Sequence, residues 1–341
     1  MSEMEYRDVL RTAMGDGLSR RQAEAAFGQI MSGAWTEAQI AGLLVAMATR
    51  GESVAEITGA ATAMRAHSVK IDAGGRDVID TCGTGGTGLS TLNVSTAAAI
   101  VSAGAGACVA KHGNRTHTRA SGSADVLAAL GVNIDADAET VTRCLNEAGV
   151  CFCFAVKHHP AMKYAVGVRK ALGVRTIFNV LGPLTNPAGA RRQVMGVFDA
   201  DLVETIAEVL KALGAQRAMV VHADDGLDEI STTAMTHIAE LKDGKITTQS
   251  VQPEDFGLTR ATLADLAVES AAESAERIRQ VLSGQGGPDR DIVLLNAAAA
   301  LVVADQADTI AEGLTSAAEA IDSGQAAETL EKLIEISNSG V

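Results

Sequence analysis

Aromatic residues are scarce: six Phe, two Tyr and one Trp, 3% of 341 residues. A core of interleaved rings is excluded, and the abundant Ala and Gly imply helices packed closely on small side chains with Leu, Val and Ile. Positive charge is also short, with 28 Lys and Arg against 42 Asp and Glu, a net charge of -14. That argues against general binding to nucleic acid or to an anionic membrane, since both depend on clustered cations. An anionic ligand must therefore be met by a local group. The five cysteines, Cys82, Cys108, Cys144, Cys151 and Cys153, form no Cys-x-x-Cys pair and are odd in number. They fit neither a disulfide framework nor a zinc site and read as reduced core residues. The N-terminus lacks a basic-then-apolar signal, and no apolar run nears the roughly 20 residues of a membrane span. The expectation is a cytoplasmic protein of two domains or one large one.

What is present centres on one stretch, Asp80-Thr-Cys-Gly-Thr-Gly-Gly-Thr-Gly-Leu-Ser-Thr-Leu-Asn-Val-Ser-Thr96. Val78-Ile79 precedes glycines 83, 85, 86 and 88, and a small-residue run, Ser95 to Gly104, follows. The order reads strand, glycine loop, helix. Such a loop can bring its N–H groups, with the orphan donors of the next helix, toward an anion. A tight turn accounts for the glycines equally well. No Lys-Ser/Thr follows them as in a P-loop, and the spacing departs from the dinucleotide pattern.

Residues 1 to about 70 read as a small helical bundle, with capping boxes at Ser19…Gln22, Thr36…Gln39 and Ser53…Glu56 and a glycine stop at Gly51. Its apolar surface suits either a dimer partner or the chain's own second domain. From Asp77 strands and helices alternate. The expected strands are Val78–Thr81, Ala107–Lys111, Cys151–Val156, Gln193–Phe198 and Ala218–His222, with helices Ser95–Gly104, Ser123–Leu130, Ala138–Ala148 and Leu202–Leu213. This implies a mostly parallel sheet covered on both faces. Thr236–Leu241 and Lys245–Val251 flank an Asp-Gly turn and read as an antiparallel hairpin. The tail from about Leu258 reads as helical. Loops near 112–122 and 224–231 follow strands, so they can converge with the glycine loop at the carboxyl ends.

Lys111-His112-Gly113-Asn114-Arg115 ends a strand and precedes Ser121-Gly-Ser-Ala-Asp125, a helix start that suits a phosphate; a solvated basic turn is the alternative. Asp228-Glu229 can hold Mg²⁺, with Asp224 and Asp225 as rivals, though a solvated acidic loop reads alike. His158-His159-Pro160, Arg169-Lys170 and Gly182-Pro183-Leu184-Thr185-Asn186-Pro187 form a further polar block. Arg can clamp a carboxylate bidentately.

Together with Asn93-Val-Ser-Thr96, Gly122-Ser-Ala-Asp125, His159-Pro-Ala-Met-Lys163, Arg175-Thr-Ile-Phe-Asn179 and Gly226-Leu-Asp-Glu-Ile-Ser231, these motifs resemble the anthranilate phosphoribosyltransferase family in order and spacing, over nearly the whole chain. The resemblance implies an α/β protein with a small N-terminal helical domain (1–72, with helical pieces near 160–187 packing on it) and a large α/β domain (73–341) with a mostly parallel sheet, of the nucleoside phosphorylase and phosphoribosyltransferase type. It implies a homodimer joined through the helical domains, and transfer of phosphoribose from phosphoribosyl pyrophosphate to anthranilate in tryptophan biosynthesis. By motif, Gly83, Gly86, Thr87, Thr91, Asn93, Val94, Ser95, Thr96, Lys111, Arg119 and Ser123 would hold phosphoribosyl pyrophosphate. Gly83, His112, Asn114, His159, Arg169 and Pro183 would line the anthranilate path. Ser95, Asp228 and Glu229 would bind Mg²⁺, two ions per subunit with substrate. No covalent catalyst or general base is implied.

The chain departs from the family at three places. Thr87 stands where Gly-Thr-Gly-Gly-Asp ends in Asp, Leu92 replaces a usual Phe, and Thr116-His-Thr-Arg-Ala120 replaces small residues with a Ser pair. The rivals are a transferase for another aromatic amine, a pyrimidine nucleoside phosphorylase and a non-catalytic nucleic-acid binder; Asn114, Arg169 and Gly182-Pro183 favour anthranilate.

Overall fold

Three of the first four helices begin where a capping box sits. The structure is a computed structural model that describes residues 5–116 and 120–340. It opens with α1 (Tyr6–Met14), α2 (Arg20–Met31), α3 (Glu37–Arg50) and α4 (Val54–Ala66). Ser19, Thr36 and Ser53 accept from the backbone N–H three residues on, and Gln22, Gln39 and Glu56 return to the cap N–H. Gly51 stops α3 at φ +89°, a conformation costly for any residue with a Cβ. Glu56 also ties the bundle together. Fully buried, it accepts from Leu18 N at 2.9 Å and from Arg50 Nη2 at 2.6 and 2.7 Å. Burial draws its carboxyl upward, but Arg50 and the backbone donors outweigh that and hold it below its usual value.

The alternating part runs β1 (Ile79–Gly83), α5 (Val94–Gly104), β2 (Val109–Gly113), α6 (Ser123–Leu130), α7 (Ala138–Glu147) and β3 (Val150–Phe154). A helical excursion follows, α8 (Ala155–His158), α9 (Lys163–Leu172) and α10 (Phe178–Leu181), then β4 (Arg192–Gly196), α11 (Leu202–Ala212) and β5 (Arg217–Ala223). The hairpin is β6 (Thr236–Lys242) and β7 (Lys245–Val251); Asp243 and Gly244 both take positive φ, +52° and +73°, as a two-residue type I′ turn requires. The tail is α12 (Leu263–Leu266), α13 (Ala271–Leu282), α14 (Pro288–Val303), α15 (Ile310–Asp322) and α16 (Gln325–Asn338). The fold is the expected one, a small helical domain and a large α/β domain. The strand expected to reach Val156 stops at Phe154, where its pairing with β2 ends and Ala155 turns into α8.

The sheet order is β3-β2-β1-β4-β5-β6-β7, parallel through β5 and antiparallel beyond. Alternation along β5 divides the core. Met219, Val221 and Ala223 face a cluster with α5, α14 and α16, whereas Ala218 and Val220 face one shared with α11 and the N-terminal helices, as period-2 geometry dictates. Phe178 joins that second cluster, its ring 5.7 Å from Phe27. Among the described residues no helix is long and apolar enough to cross a membrane.

The chain leaves β1 toward β2 on one side and later returns to β4 on the other. The connections after these neighbouring strands therefore diverge, opening a crevice at their carboxyl ends.

Candidate active site

Two glycines shape the crevice. Gly83 and Gly196 are register partners at the ends of β1 and β4. A Cβ on Gly83 would lie 2.3 Å from Asp228 Oδ2, and one on Gly196 1.7 Å from the Asp228 carbonyl. The missing side chains make a notch in which the 224–231 loop sits. Asn296 of α14 holds the loop from behind: its Nδ2 donates to Ile230 O and its Oδ1 accepts from Ile230 N, both at 2.9 Å. Asp225 accepts the Ser231 hydroxyl at 2.7 Å and that of Thr233, while Asp224 pairs with His237 at 2.8 Å. These two carboxylates serve the loop itself. Asp228 and Glu229 turn inward instead: Asp228 Oδ2 accepts from Gly85 N at 2.9 Å and Glu229 Oε1 from Ser95 N at 3.2 Å.

Both N–H groups border a cleft of about 380 Å³. Gly85, Gly86 and Gly88 take φ of +63°, +78° and +75°, so the turn needs them. Buried Lys111 reaches the Thr81 carbonyl at 2.5 Å and Ser95 Oγ at 3.2 Å. Thr96 Oγ1, in the first turn of α5, is buried with no hydrogen-bond partner among the described residues, a condition that a ligand relieves. The Oδ1 of Asn93 is taken up in structure, accepting from Ser121 Oγ at 2.6 Å and Ser274 Oγ at 2.8 Å, while its Nδ2 stands 3.5 Å from Ser121 O at the cleft wall.

Beneath the cleft lies a buried polar hub. Asp80 accepts from His112 N at 3.0 Å and Asn186 Nδ2 at 2.7 Å; burial raises its pKa against the pull of Asn186 and Lys111. Asn186 also donates to Ala110 O at 2.7 Å, and Gln193 Nε2 donates to Pro183 O at 2.8 Å. The Gly182–Pro187 segment is thereby fixed to β1, β2 and β4. His112 and His159 meet Nε2 to Nε2 at 3.2 Å, which two neutral rings can share as one donor and one acceptor. Burial, then His158 and Lys70, draw His159 down to about 4; burial, then His159, draw His112 well below its usual value.

Of the candidates named from sequence, Gly83, Gly86, Thr91, Asn93, Val94, Ser95, Thr96, Lys111, His112, Asn114, Ser123, Asp228 and Glu229 line this cleft. His159 and Pro183 stand behind that lining. Thr87 lies outside it and turns its hydroxyl to Leu89 N at 3.3 Å. Arg169 sits on α9, 5.5 Å from the Phe178 ring centre, with no carboxylate partner among the described residues. Arg119, with His117 and Thr118, falls outside the described residues. Sequence reasoning missed Gly196, Asn296 and the hub role of Asp80. A lone Asn within the Ala-rich run of α14 was a usable signal; Gly196 becomes visible only when β1 and β4 are paired.

The oxygen donors Ser95, Asp228 and Glu229 suit a hard cation. Among the described residues no three His, Cys, Asp or Glu side chains converge as a cage, so such an ion would complete its shell with ligand oxygens and water, as Mg²⁺ commonly does.

Comparison with known proteins gives the chain its relatives. Residues 75–327 match the glycosyl transferase family α/β domain and residues 10–68 that family's helical bundle domain. Anthranilate phosphoribosyltransferase of Thioalkalivibrio sulfidiphilus is 55% identical over 322 residues, 94% of this chain and 95% of the relative. The crystal structure of the Thermus thermophilus anthranilate phosphoribosyltransferase superposes with a TM-score of 0.93 at 40% identity, covering 97% of this chain and all of that one. The Saccharomyces cerevisiae enzyme in complex with PRPP and Mg gives 0.88 at 27% identity, with 98% of each chain covered.

The notch makes Gly196→Ala a sharp probe. The variant should retain its sheet by circular dichroism yet lose most affinity for Mg²⁺-pyrophosphate in calorimetry; unaltered affinity would separate the loop's seat from the site. The histidine pair sets an acid limit. Both rings are neutral when folded and take up protons on unfolding below about 6.5, so stability falls as pH falls toward about 4. Urea unfolding should show stability falling between pH 6.5 and 5, with His159 contributing about 1.5–2 kcal/mol of the loss and a shallower dependence in His159→Gln. An equal slope in that variant would contradict the assignment.

Proposed function

Since the chain belongs to the anthranilate phosphoribosyltransferase family, we propose that the cleft at the β1/β4 switch point transfers the phosphoribosyl group of phosphoribosyl pyrophosphate to the amine of anthranilate. Pyrophosphate leaves, and the product enters tryptophan biosynthesis. The observation that carries this reading is the convergence on one spot of a glycine loop, a helix start and two carboxylates, with Lys111 alongside.

The hard step is departure of pyrophosphate from the ribose C1, because the amine of anthranilate already carries a lone pair. The Gly86 N–H of the glycine loop, the Lys111 ammonium and the hydroxyls of Ser95 and Thr96 at the start of α5 stabilise the charge that grows on the leaving group. Gly83, Gly86, Thr91, Asn93, Val94, Ser95 and Thr96, with Lys111 and Ser123, hold the pyrophosphate end. The unpartnered Thr96 hydroxyl supports that placement. Ser95 would offer a hydroxyl to one Mg²⁺ and Asp228 and Glu229 carboxylates to a second, and the ions, two per subunit with substrate, would supply neutralisation of the same charge.

The acceptor side is made by Gly83, His112, Asn114, His159, Pro183 and Arg169. Arg169, without a carboxylate of its own, meets that of anthranilate. Neutral rings at His112 and His159 add no further charge beside Arg169 on that path. Holding both substrates in line supplies most of the remaining rate, with no covalent catalyst. Thr87 and Arg119 belong to the phosphate side by motif. Exposed Met14 and Val45 on the N-terminal helices, with Tyr164 and Val166 of α9, support a homodimer through that domain, and a cytoplasmic location goes with the pathway.

Purified protein mixed with anthranilate, phosphoribosyl pyrophosphate and Mg²⁺ should consume anthranilate fluorescence; no turnover from folded protein would overturn the reading. Arg169→Ala should raise the KM for anthranilate at least tenfold and leave that for phosphoribosyl pyrophosphate within twofold. Equal damage to both would contradict its role.

A further inference from the structure

The motif Arg175-Thr-Ile-Phe-Asn179 ends on a residue that lines the cleft. Its first residue spans two elements that the site depends on. Arg175 Nη2 donates to the Gly86 carbonyl at 2.7 Å, and its guanidinium lies 4.0 Å from the ring centre of Phe198, two residues beyond β4. Its own backbone packs beside the helical domain, because Phe178 lies against Phe27 and, with buried Ile177, sits in the cluster that the N-terminal helices share with α11, β4 and β5. Arg175 thus reaches from that side of the molecule to the glycine loop on the other.

The loop needs such a hold. Gly85, Gly86 and Gly88 all occupy positive φ, and glycine loses more backbone freedom on ordering than any other residue. We propose that Arg175 is a positioning residue, a strap that fixes the glycine loop in its anion-receiving form and couples it to the helical domain. A planar trans peptide sets its C=O and N–H in opposite directions. Pinning the Gly86 oxygen therefore also aims the Thr87 N–H. The side chain has to be arginine: a flat guanidinium can stack on Phe198 and still donate in its own plane, whereas an ammonium cannot do both.

The inference rests on the reading of the cleft as a pyrophosphate site and is independent of the acceptor. Its test measures Mg²⁺-pyrophosphate affinity by calorimetry, with steady-state kinetics, for the whole protein and for Arg175→Ala, Arg175→Lys, Phe198→Leu and the Arg175→Ala/Phe198→Leu pair. Arg175→Ala should weaken pyrophosphate binding about tenfold and raise the KM for phosphoribosyl pyrophosphate similarly, leaving the KM for anthranilate within twofold and the melting temperature unchanged. Arg175→Lys should recover part of the loss. Phe198→Leu should lose less, and the double variant should be no worse than Arg175→Ala, because Phe198 acts through the strap. Unchanged pyrophosphate affinity in Arg175→Ala, or equal rises in both KM values, overturns the strap alone. Wild-type protein that binds no pyrophosphate overturns both the strap and the reading beneath it.

Discussion

The site depends on a close approach that only glycine permits. Paired at the ends of two central strands, Gly83 and Gly196 let the Asp228 backbone and carboxylate come nearer than any Cβ would allow. From that seat the two carboxylates reach the N–H groups of the glycine loop and of α5. The notch lies at the switch point because β1 and β4 are neighbours there whose connections part in opposite directions. Strand order thus creates the crevice, and two absent side chains set its depth.

The floor of the site is rigid for a different reason. Asp80, Asn186 and Gln193 are buried polar groups whose partners are all found within the protein. A buried network of this kind is favourable only when complete, so it binds the ends of β1 and β2 to the Gly182–Pro187 segment as one body. The same burial keeps His112 and His159 uncharged. Lys111 and His112, neighbours on β2, thus give the cleft walls of unlike polarity.

Much of this was legible in the sequence because the signals were local. The capping boxes at Ser19, Thr36 and Ser53, the Asp-Gly hairpin and the glycine loop each depend on residues a few positions apart. The motifs that carried the family resemblance also ran in order along the chain, and most of their polar residues meet in one cleft. Gly196, Asn296 and the use of Asp80 were hidden because their meaning comes from partners 32, 66 or 106 residues away. Of the four acidic residues in the 224–231 loop, Asp225 and Asp224 bond to Ser231, Thr233 and His237, whereas Asp228 and Glu229 line the cleft, a division the sequence could not show. Thr87 shows the reverse, a position singled out by motif whose hydroxyl closes a local turn.

In the proposed reaction the carboxylates seated on the glycine notch and the hydroxyl of Ser95 together organise cation and pyrophosphate at one place. Crystals grown with phosphoribosyl pyrophosphate and Mn²⁺ in place of Mg²⁺ test it directly by anomalous scattering. Manganese is expected within coordination distance of Ser95 and of Asp228 or Glu229, with pyrophosphate bound beside it. Pyrophosphate bound in the cleft with manganese away from all three residues would contradict it.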